Sequence, residues 1–208
     1  MKTNEWVTIK NQSLAVYTRE AGFDLSIYNE YSAPVQAQLR KRAIDAAMFG
    51  ISNAFEEQNI DIYDIKKGIY VISLSAPLTI LYRTKRSQVI YIGIGNVMGR
   101  VKQHFEGSLF DFMQSLSGAN FDFSFACPEM DGHDLYYKHV EWEMLEHFSK
   151  QYGGVDDNRR FPLLNKNAGS NKGIENDSDW WKKPLKNTGK QPRWHLSPTE
   201  YSEFATLD

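Results

Sequence analysis

The chain has 208 residues, 41% of them hydrophobic and 13% aromatic, with a formal net charge of −2. That much apolar and aromatic material suits one compact domain with elaborations and excludes a disordered chain, while the absence of any 18-residue apolar run excludes a membrane-spanning helix. The single cysteine, Cys127, excludes an intrachain disulfide and a cysteine-cluster zinc site; with an N-terminus, MKTNEWVTIK, that lacks an apolar leader, it points to a reducing, cytoplasmic setting.

Residues 5–31 mix short β-prone runs, Trp6-Val7-Thr8-Ile9 and Leu14-Ala15-Val16-Tyr17, with polar spacers. From Ser32 the pattern changes. Val35, Leu39, Ala43, Ala46, Ala47, Gly50, Ile51, Ala54 and Phe55 recur every three or four residues, which predicts a long amphipathic helix with Ser32 as N-cap and Pro34 in its first turn. Gly68 to Leu74 and Gln88 to Ile94 are rich in β-branched and aromatic residues and read as strands, with Leu78 to Arg83 a further strand or an extension of the first hairpin. Gly95-Asn96 ends the second strand, and Val97, Met98, Val101 and Phe105 mark one face of a short helix. Leu109 to Leu116 is a helix-like or irregular piece. Phe121, Phe123 and Phe125 alternate with smaller or polar residues, as in a strand with one buried face. His133 to Gln151 is the clearest second helix, ended by Gly153-Gly154, after which Gly, Asn and Asp dominate until Trp180. The sum is an α+β fold, a small, mostly antiparallel sheet with helices packed around it as in an α/β sandwich, rather than an alternating parallel one.

Helical geometry singles out one acid. At 100° per residue, Tyr137, Met144, Leu145, Phe148 and Tyr152 project close to the direction of Glu141, which therefore lies within the apolar stripe, whereas Glu143 and Glu146 project away, towards solvent. A carboxylate placed there needs a cation, a metal or strong donors; a structural salt bridge to a buried Arg or Lys would also satisfy it. Arg100 and His104 are spaced i,i+4, so both side chains can converge on one group, the guanidinium gripping a phosphate and the imidazole exchanging a proton. Singly, such a pair is also what an ordinary helix surface carries. Tyr70 and Tyr91 stand on neighbouring strands, where tyrosines commonly pack in the core; their hydroxyls meet only if the strands pair in a suitable register. Between Asn158 and Trp194, nine Lys/Arg (Arg159, Arg160, Lys166, Lys172, Lys182, Lys183, Lys186, Lys190, Arg193) face three acids, with Trp180, Trp181 and Trp194 among them. That stretch either clamps a nucleic-acid backbone or wraps over the core as a solvated tail. His133, His139, His147 and His195 have no metal-ligand spacing, Gly93 to Gly99 lacks the lysine-serine of a nucleotide loop, and Cys127-Pro128 reads as a small buried residue rather than a nucleophile.

Taken in order, Gly68-Ile69-Tyr70, Tyr91-Ile92-Gly93, Arg100, His104, Glu141 and Asn165 resemble the signature of the GIY-YIG nuclease superfamily over about residues 66–168. The Glu141-xx-Met144-Leu145 helix followed by Pro162-Leu163-Leu164-Asn165 is similar to that family's C-terminal end. The resemblance implies a three-stranded antiparallel sheet flanked by helices and a Mg²⁺- or Mn²⁺-dependent hydrolysis of DNA, with double-stranded DNA as partner, engaged by one copy or by a homodimer. It assigns Tyr70 as general base, Tyr91 as its positioning neighbour, Arg100 to the phosphate and His104 to the proton relay or leaving group. Glu141 is then the metal ligand and Asn165 a supporting hydrogen-bonding residue. Two departures stand out: the wide interval between Tyr70 and Tyr91 implies an inserted strand or hairpin from Pro77 to Gln88, and the loop from Gly153 to Phe161 is long. The implied organisation is an N-terminal helical embellishment (1–65), the nuclease core (66–168) and a basic, aromatic-containing C-terminal extension (169–208). An endonuclease of this size suits a restriction, phage or mobile-element role, with repair also open. The rival readings are a nucleic-acid-binding protein that keeps the fold without catalysis, and a structural protein whose tyrosines and Glu141 belong to a core network.

Overall fold

The structure, a computed structural model, describes residues 2–83, 85–152, 161–190 and 194–198. The helix-ending Gly153-Gly154, most of the long loop that follows, and Arg159, Arg160 and Arg193 of the basic stretch lie outside the described residues. Among those described, no helix is long and apolar enough to cross a membrane.

The fold is α+β. Its centre is a four-stranded antiparallel sheet of β1 (Val7–Gln12), β6 (Phe121–Ala126), β2 (Gly68–Leu74) and β5 (Val89–Gly95), in that spatial order. The three strands β6, β2 and β5 are the sheet that the resemblance implies, and β1 adds a fourth at the edge. The N-terminal region is thus not helical alone. Trp6 to Ile9 is a strand as expected, but Leu14 to Tyr17 begins helix α1 (Leu14–Glu20), where Leu14 and Tyr17 turn into the core one helical turn apart. Tertiary burial there overrides β-prone composition.

The expected long helix is α2 (Ala33–Glu56), preceded by Ser32 and carrying Pro34 in its first turn. Its buried stripe of Ala43, Ile44, Ala47, Met48, Ile51 and Phe55 covers the sheet, where the Phe55 ring meets Phe125 edge-on at 4.9 Å. Strand β6 is covered on both faces, not one: Ser124 and Ala126 are buried along with the three phenylalanines. Alternation hid this because a central strand needs only small residues on its second face, and here Ser124 meets Thr8 of β1 at 2.8 Å.

The insertion between the motif strands is a hairpin of β3 (Leu78–Tyr82) and β4 (Lys85–Ser87) that starts a second, three-stranded sheet. Its third strand is β7 (Trp194–Leu196), parallel to β3. After β5 come α3 (Val97–His104), one wide turn (Phe105–Leu109) and α4 (Phe110–Ser115); α5 (Tyr136–Tyr152) then packs across β5 and β2.

The described part of the C-terminal stretch wraps over the core. Trp181 and Leu185 are buried, Trp180 packs on Trp6 at 5.8 Å between ring centroids, and Asn187 joins the backbone of Gln88 and Arg86. Only Trp194, 75% exposed, remains open to solvent of the three tryptophans. The same wrapping corrects the expected orientation of Glu143. Its carboxylate accepts from Asn176 and its side chain is only 16% exposed, because residues 171–178 lie over that face of α5, which the periodicity of one helix cannot reveal.

Candidate active site

The register of β2 and β5 sets Tyr70 opposite Gly93 and Ile72 opposite Tyr91, so both tyrosines rise from the same face as diagonal neighbours. Gly93 makes the arrangement sterically feasible. A Cβ there would lie 2.5 Å from the Tyr91 ring and 2.7 Å from the Tyr70 ring and hydroxyl, so the two phenols occupy the space a side chain would fill. Their rings stack with centroids 5.7 Å apart. Gly68 plays the same part for the neighbouring helix: a Cβ would meet Val97 at 2.4 Å and Ile65 at 2.5 Å, and the missing atom lets α3 sit down on the sheet.

Asn96 starts α3 as an N-cap, its side-chain oxygen accepting from the Gly99 N–H at 3.2 Å. One turn later Arg100 reaches over Gly95 and bonds Gln103 at 2.9 Å. A further turn brings His104 Nε2 to 2.8 Å from the Tyr70 hydroxyl, with the imidazole centroid 4.1 Å from that of Tyr91. From the other side α5 delivers Glu141. Asn165 completes the wall: its Nδ2 donates to the Ile92 carbonyl at 2.7 Å and its Oδ1 accepts from the Ile92 N–H at 2.9 Å. With the Leu164 N–H donating to Ile90 O at 2.9 Å, this segment pairs with the otherwise open edge of β5, where an unpaired row of backbone groups would be a liability.

Tyr91, Arg100, His104, Glu141 and Asn165 thus line one cleft of about 640 Å³. Tyr70 is gathered to it differently. It is 0% exposed and lies behind the wall, touching His104 and Tyr91 rather than the open space. Sequence alone did not single out Gln103, Gly107 and Ser108, which also line the cleft, as does Lys166 of the basic stretch. Gln103 had a signal available, being i+3 from Arg100 on one helix face.

Burial sets the charge states. It pushes the Tyr70 phenol far above its ordinary range, and a nearby Arg100 only partly opposes this; Tyr91 is raised by burial too, against the pull of the Tyr70 hydroxyl and Arg100. His104 is pushed down to about 4 by burial and by the Arg100 charge, so at neutral pH its ring is uncharged, with one nitrogen free to accept. Glu141 is pushed up to about 7 by burial, with Arg100 and Lys138 drawing it back only partly. Among the described residues no cation forms an ion pair with Glu141, so the structural salt-bridge alternative is not realised there.

A half-buried carboxylate without a paired cation fits a hard divalent ion. Among the described residues no three His, Cys, Asp or Glu side chains are grouped to cage a metal. That donor set still suits Mg²⁺, which is commonly held by one or two carboxylates, several waters and substrate phosphate oxygens. Comparison of the chain with protein-family models, curated proteins and solved structures returns no match.

Proposed function

We propose that this protein is a metal-dependent endonuclease that hydrolyses phosphodiester bonds in double-stranded DNA, acting in the cytoplasm with the arrangement of the GIY-YIG superfamily. The observation that carries the reading is the convergence of five separated signature residues, Tyr91, Arg100, His104, Glu141 and Asn165, on one cleft, with Tyr70 bonded behind them. The guanidinium, the neutral imidazole and the two stacked phenols come from one strand–strand–helix unit, β2, β5 and α3, and the acid is brought to them by a separate helix, α5.

Each group has a part that its surroundings suit. Arg100 is a fixed charge on the cleft wall and grips a non-bridging phosphate oxygen. Glu141 would hold Mg²⁺ or Mn²⁺, which when bound neutralises phosphate charge and polarises the scissile group. The attacking water forms its oxygen–phosphorus bond as the bond to the leaving oxygen breaks. Its proton passes to the neutral His104 ring, with the protonated Tyr91 hydroxyl positioning the water from the cleft wall, and the leaving oxyanion takes a proton from solvent. Tyr70, out of reach of the cleft, serves as the inner member of that relay: its hydroxyl donates to or accepts from His104 Nε2 as the imidazole gains or loses a proton. This shifts the base assignment from Tyr70 itself to the Tyr91–His104–Tyr70 set. Asn165 acts through Ile92, fixing the strand between Tyr91 and Gly93. A restriction, phage or mobile-element setting suits a nuclease of this arrangement.

The test is nicking of supercoiled plasmid with Mg²⁺, with Mn²⁺ and with EDTA, using wild type and Glu141→Ala. Cleavage that needs the metal and is lost in the variant supports the reading. DNA binding with no cleavage in either metal would instead favour a catalytically inactive DNA-binding protein.

A further inference from the structure

Beyond α3 the chain does not run straight on into α4: Phe105–Leu109 forms a wide turn that kinks at Gly107, whose backbone leaves helical geometry (φ −90°, ψ −131°). Where the backbone kinks, the regular i→i−4 ladder is interrupted and nearby carbonyls are open to other partners. Here one side chain from outside the motif region supplies them. Arg40, on α2, donates from Nη2 to the carbonyls of Gly107 at 2.6 Å, Glu106 at 3.1 Å and Phe105 at 3.4 Å. Its Nη1 holds Asp111 Oδ1 at 2.7 Å, and its guanidinium carbon lies 4.6 Å from the centre of the Phe110 ring. The Arg40 side chain is 24% exposed, whereas that of Asp111 is 62% exposed, so the guanidinium is partly covered and its carboxylate partner stays open to water.

The turn held in this way adjoins the candidate site on both counts that matter. It begins at the residue after His104, whose ring must meet Tyr70 at hydrogen-bond distance, and it contributes Gly107 and Ser108 to the cleft wall. We propose that Arg40 is a positioning residue of the site: by gripping three successive carbonyls it fixes the wide turn, and thereby the angle of His104 against Tyr70 and the position of the Gly107–Ser108 wall. The two N–H groups of Nη2 serve the carbonyl cluster, the long contact to Phe105 being shared, while Nη1 holds the carboxylate; a lysine offers a point charge without that planar fork. The structural observation stands apart from the nuclease reading, and only its kinetic consequence rests on that reading.

The experiment compares wild type, Arg40→Gln and Arg40→Lys by ring ¹⁵N–¹H NMR of His104, assigned with His104→Asn, alongside plasmid nicking. In wild type the His104 ring gives one set of signals with Nε2 engaged by the Tyr70 hydroxyl. In both Arg40 variants those signals are expected to shift and broaden towards a freely rotating imidazole. The turnover number for DNA should fall about tenfold or more, the scale expected for misplaced groups, with KM changed by less than about twofold. Arg40→Lys keeps the charge and the aliphatic stem, so it covers the case in which Arg40→Gln fails to fold. Unchanged His104 signals in either folded variant overturn the proposal, as does full restoration by lysine. If the signals move while wild type cleaves no DNA in any metal, the positioning role stands and the nuclease reading falls.

Discussion

Replacing Gly93 with alanine perturbs the site with a single methyl group. The added carbon would stand 2.5 Å from Tyr91 and 2.7 Å from Tyr70, where ordinary contact begins near 3.4 Å, so both rings must retreat by most of an ångström. Tyr70, fully buried, has no room to do so, and Tyr91 can move only into the cleft, away from its stack on Tyr70. Overpacking of this kind costs about 1–3 kcal/mol, which for a chain of this size lowers the melting temperature by roughly 2–12 °C. The larger effect is on function. A shift of about 1 Å stretches the 2.8 Å bond from Tyr70 to His104 beyond useful length, and misplacement on that scale costs on the order of 10²-fold in rate. The assay is urea unfolding together with single-turnover plasmid nicking, with Gly99→Ala as control. A Cβ at Gly99 meets nothing nearer than 3.5 Å, and alanine suits an α3 interior, so that variant should be as stable as wild type or slightly more so. If Gly93→Ala matched wild type in both stability and rate, the argument from the shared space over Gly93 would be wrong.

Two further outcomes follow from the charge state of Glu141 and from the Asn165 clamp. A carboxyl whose folded pKa is raised from 4.5 to about 7 binds its proton more tightly in the folded state, so stability falls as pH rises through that window and the deficit persists above it, at most about 3 kcal/mol. Glu141→Gln should therefore match wild type near pH 4.5 and exceed it at pH 8 in EDTA, by urea unfolding; wild type and variant losing stability in parallel would contradict this. Asn165→Leu strips both partners from the Ile92 backbone and should destabilise the protein by about 2–4 kcal/mol, with faster exchange of the Ile92 amide proton seen by NMR.

How much of this was legible depended on whether a local pattern or a distant contact decided the outcome. Glu141 was found from helix phase alone, because the apolar stripe that surrounds it is written in consecutive turns of α5. The pairing of Tyr70 with Tyr91 was not, since register depends on which residues face each other across β2 and β5; the clue in hindsight is the glycine at 93. The insertion was legible as a hairpin, yet its recruitment of β7 into a second sheet was hidden, because that pairing spans more than a hundred residues. Glu143 illustrates the opposite limit, a face that periodicity assigns to solvent and a later segment covers. Arg40 escaped notice because an arginine on the polar side of an amphipathic helix carries no local mark of the carbonyls it will meet beyond residue 104.

The central claim is that these residues surround one hydrated cation. The direct measurement is Mn²⁺ binding by electron paramagnetic resonance at pH 8, in the presence of a DNA duplex whose phosphodiesters resist cleavage, for wild type and Glu141→Gln. The account predicts one bound ion per chain in wild type, lost or weakened at least tenfold in the variant, a difference of about 1.4 kcal/mol or more. Equal binding by both proteins, or none by wild type, would contradict it.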